Sequence, residues 1–260
     1  MYNAFIDYVK EINTGDLTDI AWRSDPNFCY VLEHTSPKQG GEYLKLIEAE
    51  FPDITYDDIR KYINMNDKYG GTTKSIFTTN KNKMLYCSPS NMRYIYHSLI
   101  ILTALKESGC SNIVELGAGY GGLCLAISMF QSKMDVKISQ YNMIDLPDVG
   151  NLIGNYLELN KDGMNFDYDI YDADKFGADV PAGNLFFVSN YCFSELDESI
   201  RSNYVNTLIP KVDHGFFVYQ TCFGLPLSSF ESLLGKTTIK CEQERPQTAP
   251  EHVPNWFFYF

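Results

Sequence analysis

The sequence predicts an α/β fold built on a mostly parallel sheet. From about residue 88, short β-branched and aromatic runs alternate with longer segments that have apolar residues at helical spacing. The two closing segments, 237–244 and 255–260, are both predicted as strands, with no helix between them. Alternating strands and helices form a parallel sheet with helices on both faces. The two closing strands therefore predict an antiparallel hairpin at one edge of that sheet.

The elements of this region follow in a regular order. Pro89 begins a helix that Gly109 ends, because proline suits a first helical turn and glycine the position after the last. The remaining helices are predicted over 123–131, 147–160, 195–212 and 227–235. The remaining strands are predicted over 112–119, 138–145, 165–172, 184–193 and 214–222.

Residues 1–86 have a different pattern, and we predict a helical cap segment there, followed by the sheet domain at 87–260. Helical spacing of apolar residues is found at 5–12, 40–51 and 56–63. Residues 68–83 are polar and rich in turn-forming residues, so they are predicted without a helix or strand.

Composition narrows the class of function. The chain has 33 acidic and 21 basic residues, a net charge of −12, so phosphate backbones are repelled and nucleic acid is not an expected partner. Its seven cysteines include no C-x-x-C pair, which predicts reduced thiols and not a zinc site. No apolar run is long enough to cross a bilayer, so we expect no membrane association and a cytoplasmic location.

A glycine-rich turn between a strand and a helix is the main candidate for a cofactor site. Gly117, Gly119 and Gly122 satisfy G-x-G-x-x-G, and glycines there let the backbone turn sharply beside a ligand. Asp145 closes the next strand, where an acid binds ribose hydroxyls. This spacing fits a nicotinamide dinucleotide as well as adenosylmethionine, so the glycines alone leave both cofactors open.

Glu115 favours adenosylmethionine, because a carboxylate directly before the turn repels a pyrophosphate. The run Glu115-Leu116-Gly117-Ala118-Gly119 resembles the first motif of class I methyltransferases. Asp145-Leu146-Pro147 resembles the D-L-P of small-molecule O-methyltransferases. These resemblances imply a Rossmann-like fold with a seven-stranded sheet and an antiparallel terminal hairpin. They also imply an adenosylmethionine site in which Glu115 holds the methionine ammonium and Asp145 the ribose diol.

Several further stretches resemble the sugar O-methyltransferase family. They are Leu32-Glu33-His34, Asn66-Asp67-Lys68-Tyr69-Gly70, Met92-Arg93-Tyr94, Ser189 to Glu195 and Pro246-Gln247-Thr248 with Trp256. The resemblance implies methyl transfer to a hydroxyl of a sugar, glycan or sugar nucleotide.

The resemblance also implies roles for single residues. It places Arg93 against the methionine carboxylate, although an ordinary solvated helix arginine fits the same position. Asp172, at the end of the third strand, is the preferred partner of the adenine amino group, and Ala118, Leu146 and Ser189 complete the predicted cofactor site. Tyr120, Asn190 and Tyr191 are the predicted acceptor contacts.

Methyl transfer to an alcohol calls for a general base, and we predict His252 or Glu195. Both follow the carboxyl ends of strands, where ligands of open α/β sheets bind. A solvated loop histidine and a helix-stabilising acid are the alternatives. Plant-type O-methyltransferases carry a catalytic histidine at the place of Asn190, so that mechanism does not transfer. His97 and His34 are the remaining candidates.

Two other functions stay open. One is a nicotinamide-dependent oxidoreductase that uses the same glycines, and the other is a non-catalytic binding module of the same fold. Asp167, Asp169, Asp172 and Asp174 could suggest a metal site, but no metal is expected, because strand residues alternate between faces and Asp172 does not share the face of Asp167 and Asp169. A homo-oligomer is left open.

Overall fold

The computed structural model describes residues 2–223 and 229–260. They form two compact units, each built from several pieces of the chain. The helical unit contains residues 2–102, 119–135 and 148–165. The sheet unit contains the other described residues, 103–118, 136–147 and 166–260 without 224–228. The predicted division after residue 86 stays a prediction.

Most residues of the first seven α-helices belong to the helical unit; only the last six residues of the fifth and the first residue of the seventh belong to the sheet unit. Their bounds are α1 (Tyr2–Ile12), α2 (Pro26–Val31), α3 (Pro37–Glu50), α4 (Tyr56–Asn66), α5 (Pro89–Ser108), α6 (Gly122–Phe130) and α7 (Pro147–Leu159). Ser36 and Thr55 begin α3 and α4 with capping boxes, in which the hydroxyl accepts from a backbone amide three residues later. Gly109 follows α5 with φ +71°, which confirms the predicted end of that helix.

A two-stranded hairpin corrects the prediction for residues 68–83. Strands β1 (Ser75–Thr78) and β2 (Met84–Cys87) pair antiparallel. Phe77 and Leu85 are buried, whereas Ile76 and Tyr86 are exposed. The surrounding lysines and asparagines hide this short period-two alternation, so the prediction of no element was wrong.

The sheet unit carries seven strands in one sheet. They are β3 (Asn112–Leu116), β4 (Gln140–Asp145), β5 (Asp167–Asp172), β6 (Leu185–Asn190), β7 (His214–Gln220), β8 (Lys240–Gln243) and β9 (Asn255–Tyr259). Their order is β5-β4-β3-β6-β7-β9-β8, and β9 runs antiparallel to both of its neighbours. This order, with its reversed last strand, is the Rossmann-like arrangement of class I methyltransferases. The predicted fold class and its terminal hairpin are confirmed.

One face of this sheet packs against short helices of the same unit. Alternate strand residues point to that face, as Phe187, Phe217 and Phe258 do. Residues of α8 (Cys192–Glu195), α9 (Glu198–Thr207) and α10 (Phe230–Leu234) pack among them. Residues 227 and 228 of the predicted last helix lie outside the described residues.

Several predicted boundaries in the sheet unit were wrong; the strand predicted over 112–119, for example, ends at Leu116, where the glycine turn begins. Two others have a clear backbone cause. The strand predicted over 184–193 ends at Asn190, because Tyr191 has φ +70° and cannot continue an extended strand. The helix predicted over 195–212 begins at Glu198, because Leu196 and Asp197 are extended and separate it from α8. Among residues 2–223 and 229–260, no helix combines the length and the apolar character needed to span a membrane.

Candidate functional site

The carboxyl ends of the parallel strands bring the predicted polar residues of the sheet unit to one edge. Asp145 and Asp172 are direct partners in the β4–β5 pairing. Leu116 pairs with Ile144, and Asn190 pairs with Val218. Because parallel strands end at the same edge, the ends of β3, β4, β5 and β6 form one continuous row.

Glu115 lies one residue before the end of β3, and only 1% of it is exposed. Its carboxylate accepts a hydrogen bond from the Tyr141 hydroxyl at 2.9 Å. Burial, with the nearby Asp145 charge, raises the pKa of Glu115 to about 8, although the Tyr141 bond opposes that rise. The carboxyl is therefore largely protonated at neutral pH, until a positive charge is brought close to it.

The glycine turn has the conformation that its residues predict. Gly117 has φ +80°, and its amide donates to the Ile144 carbonyl at 3.0 Å. A Cβ at Gly117 would lie 2.7 Å from Cys192 Sγ, so both the backbone angle and the space require glycine. Ala118 is buried beside it. The turn thus packs closely against the segment that follows β6.

The ends of β4 and β5 carry two aspartates that differ in exposure and in hydrogen bonding. Asp145 is 8% exposed, and its Oδ1 accepts from the Leu146 amide at 2.8 Å. Asp172 is exposed, and its carboxylate caps the following turn by accepting from the Asp174 amide at 2.9 Å. Asp145 therefore has a fixed orientation at the edge, whereas Asp172 also has an ordinary structural role.

Ser189 has a structural explanation. It is fully buried, its hydroxyl donates to the Leu116 carbonyl at 3.1 Å, and it accepts from the Phe193 amide at 3.0 Å. These bonds tie the end of β3 to the first turn of α8. Asn190 is partly buried at the end of β6. The predicted ligand contacts of both residues stay predictions.

A buried glutamate that sequence reasoning missed joins two loops of the sheet unit. Glu244 is 2% exposed and accepts hydrogen bonds from the Tyr191 hydroxyl, the Thr248 amide at 2.9 Å and Asn255 Nδ2 at 3.1 Å. It joins the turn after β6 to the loop between β8 and β9. The neighbouring Pro246-Gln247-Thr248 motif was the only sequence signal for this cluster.

The two predicted bases differ in their surroundings. Glu195 reaches solvent and accepts from Gln220 Nε2, and the protein packed around it raises its pKa despite that bond. His252 is exposed in the β8–β9 loop, and its predicted role is not tested by any contact. His97, the reserve candidate, is 1% exposed, and burial followed by the Arg93 charge lowers its pKa far below the usual range.

The helical unit holds the second half of the glycine turn, and Arg93 and His34 lie near it in the same unit. Gly119 has φ +63°, and a Cβ there would lie 2.9 Å from the Leu32 side chain. Arg93 donates to the Leu32 carbonyl at 3.0 Å and contacts His34 Nε2 at 3.1 Å. These contacts place Arg93 beside the segment that covers Gly119.

Tyr120 is a core residue of the helical unit. It is fully buried, its hydroxyl hydrogen-bonds to Asn66, and its ring packs edge-on against Trp22 and Tyr156. The structure gives it a packing role, so the predicted acceptor contact is not kept. Among the described residues, no group of three or more His, Cys, Asp or Glu side chains is placed to hold a metal.

No family model matches the chain, and no curated protein matches it in sequence. Solved structures that resemble it include the methyltransferase domain of bacterial CtHen1, 13% identical over 63% of this chain and 96% of that one, with a TM-score of 0.49. A mitomycin 7-O-methyltransferase is 14% identical over 66% of this chain and 55% of its own, with a TM-score of 0.46. A Synechocystis magnesium protoporphyrin IX methyltransferase with bound adenosylmethionine is 11% identical over 65% and 81%, with a TM-score of 0.45. Similarity at this level identifies neither an activity nor a substrate.

Proposed function

We propose that this chain is an adenosylmethionine-dependent O-methyltransferase whose acceptor is a hydroxyl of a sugar or sugar nucleotide. The buried Glu115 carboxyl is the observation that carries the cofactor part of the proposal. Its described partner is the Tyr141 hydroxyl, and its pKa is raised to about 8. A ligand ammonium supplies the charge that an ionised, buried carboxylate requires. The pyrophosphate of a nicotinamide cofactor would instead add a like charge.

The contacts that we assign to Asp145 and Gly117 follow from the row of strand ends, and that of Arg93 follows from the sequence resemblance. Asp145 holds the ribose hydroxyls, and the Gly117–Gly119 turn accommodates the close approach of the ligand. Arg93 binds the methionine carboxylate, a group that suits the guanidinium fork. Bound adenosylmethionine supplies an activated methyl group on a sulfonium sulfur. The protein residues orient the acceptor oxygen in line with the methyl carbon.

The acceptor side favours a polyhydroxylated substrate. Glu195 with Gln220 places hydrogen-bonding groups at the edge where β6, β7 and β9 meet, and the buried Glu244 holds the Tyr191 hydroxyl beside them. We assign Glu195 as the first candidate base, because its raised pKa favours uptake of the acceptor proton. His252 is the second candidate, from its place in the β8–β9 loop.

The proposal is tested by ligand binding and by turnover. In calorimetry, adenosylhomocysteine should bind more tightly than NAD; the reverse would end the proposal. Release of adenosylhomocysteine should then be followed with adenosylmethionine and a panel of sugars, sugar nucleotides and small phenols. A preference for sugar nucleotides or sugars supports the acceptor class, and a preference for phenols rejects it. Replacing Glu195 by Gln should lower turnover about 10²–10⁴-fold with little change in cofactor affinity.

A further inference from the structure

We propose that His34 is a positioning residue for the cofactor, which holds the Arg93 guanidinium in place through its neutral imidazole. The inference rests on the proposed function, because it assigns Arg93 to the methionine carboxylate. All residues that carry it lie in the helical unit.

The hydrogen bonds of His34 define its tautomer. His34 Nδ1 lies 3.2 Å from the Val31 carbonyl oxygen, which only accepts, so Nδ1 carries the proton. His34 Nε2 lies 3.1 Å from Arg93, whose guanidinium only donates, so Nε2 is the acceptor. A ring that donates from Nδ1 and accepts at Nε2 is neutral. Although His34 reaches solvent, the protein packed around its ring and the Arg93 charge lower its pKa to about 4, in agreement with this tautomer.

This arrangement excludes His34 as the general base in the observed state. The lone pair that would accept the acceptor's proton already accepts from Arg93. The ring instead orients the guanidinium, together with the Leu32 carbonyl, which accepts from the other terminal nitrogen of Arg93 at 3.0 Å. Two acceptors on two nitrogens fix the plane of a guanidinium group.

The segment that carries both acceptors is itself anchored. Glu33, between Leu32 and His34, accepts from Arg23 Nε at 2.7 Å and from the Ser88 hydroxyl at 2.9 Å. The side chains of Arg23 and Glu33 are 0% and 5% exposed, so this pair is shielded from solvent. The buried ion pair of Glu33 therefore also fixes the backbone of its two neighbours, Leu32 and His34.

Leu32-Glu33-His34 thus has one task for each residue. Leu32 covers Gly119 and offers its carbonyl to Arg93, Glu33 anchors the segment, and His34 orients the guanidinium. Through Leu32, the arginine is placed beside the second half of the glycine turn. This placement is what connects Arg93 to the proposed cofactor site.

Calorimetry with two ligands tests the proposal. Adenosylhomocysteine carries the amino acid group, whereas methylthioadenosine lacks both its carboxylate and its ammonium. His34→Leu should weaken adenosylhomocysteine about 5- to 10-fold, the value of one hydrogen bond, and leave methylthioadenosine unchanged. His34→Gln, whose amide oxygen replaces Nε2 as acceptor, should recover most of the affinity. Arg93→Gln should weaken adenosylhomocysteine about 10- to 100-fold.

A double variant separates positioning from general structural damage. If His34 acts through Arg93, then His34→Leu should have no further effect on adenosylhomocysteine binding in the Arg93→Gln background. Arg60→Gln, at an exposed arginine paired with Asp57, is the matched control and should leave both ligands unchanged.

The outcomes distinguish the two proposals. Unchanged adenosylhomocysteine binding by His34→Leu, or equal losses for both ligands, would overturn the role of His34 and leave the proposed function standing. Failure of the unaltered protein to bind adenosylhomocysteine would reject the proposed function itself.

Discussion

The helical unit and the sheet unit each bury a glutamate, and they treat its charge in different ways. Glu33 in the helical unit is paired with the fully buried Arg23, whose guanidinium also lies 3.5 Å from Asp67. Glu115 in the sheet unit accepts from the Tyr141 hydroxyl, with the Asp145 charge nearby. Among the described residues it has no cationic partner. The helical unit pairs its buried carboxylates with a buried arginine, whereas the sheet unit buries a carboxyl whose described neighbours include no cation.

The largest expected effect is on the free energy of unfolding, and it comes from removing the buried Arg23 charge. Arg23→Met should lower the free energy of unfolding by about 3–5 kcal/mol, because Glu33 and Asp67 then lose their buried cationic partner. Denaturant unfolding measures the change. The control Arg60→Met, at a pair that is more than half exposed, should cost about 0–1 kcal/mol. Equal losses for both variants would contradict the comparison.

The next effect concerns the shape of the glycine turn in the sheet unit. Gly117→Ala should cost about 2–4 kcal/mol, from the positive φ and from overlap with Cys192. Gly109→Ala is the matched control, because it has φ +71° but no atom within 4 Å of the added Cβ. It should cost only about 1–2 kcal/mol. If thermal or denaturant unfolding gives the same loss for both, close packing against Cys192 is not what requires Gly117.

The third effect concerns ligand binding, and it compares the variants of Asp145 and Glu115. Asp145→Ala should weaken both adenosylhomocysteine and methylthioadenosine by about 1.5–3 kcal/mol for each charge-assisted hydrogen bond lost, because both ligands carry the ribose. Glu115→Gln should weaken adenosylhomocysteine alone, since methylthioadenosine lacks the ammonium. Calorimetry with both ligands separates the two carboxylates. A loss of methylthioadenosine affinity in Glu115→Gln would place Glu115 elsewhere.

The smallest change, when taken over a single pH unit, is the pH dependence of stability. The pKa of Glu115 is raised from 4.5 to about 8 in the folded state, so the folded protein holds a proton that the unfolded chain has lost between those values. Stability from this group therefore falls as pH rises through that window, by about 1.4 kcal/mol per pH unit. The difference between the unaltered protein and Glu115→Gln, measured by unfolding at pH 5, 6 and 7, isolates this slope. A pH-independent difference would contradict the raised pKa.

The sheet unit was largely predictable because its signals are local. A glycine turn after a buried strand, and an acid at the end of the next strand, depend on neighbours in the chain. Glu115, Gly117 and Asp145 therefore lie where the pattern placed them. The end of the strand at Asn190 was missed, because tyrosine is a residue type that rarely adopts a positive φ, and the sequence around Tyr191 gives no sign of one.

The missed features all depend on contacts between distant residues. Tyr191 and Glu244 are 53 residues apart, and no local pattern pairs them. Tyr120 follows the glycine turn but points into a core made by residues far away in sequence, such as Trp22 and Tyr156. Burial of an arginine such as Arg23 also contradicts the average behaviour of its residue type.

The central claim is that Glu115 is protonated until a ligand ammonium arrives, and proton release on binding tests it most directly. Calorimetry of adenosylhomocysteine at pH 7 in buffers of different ionisation enthalpy gives the number of protons exchanged. With a pKa of about 8, Glu115 is about 90% protonated before binding, so about 0.9 proton should be released. Methylthioadenosine, and adenosylhomocysteine with Glu115→Gln, should release none. Binding of adenosylhomocysteine to the unaltered protein without proton release would contradict the account.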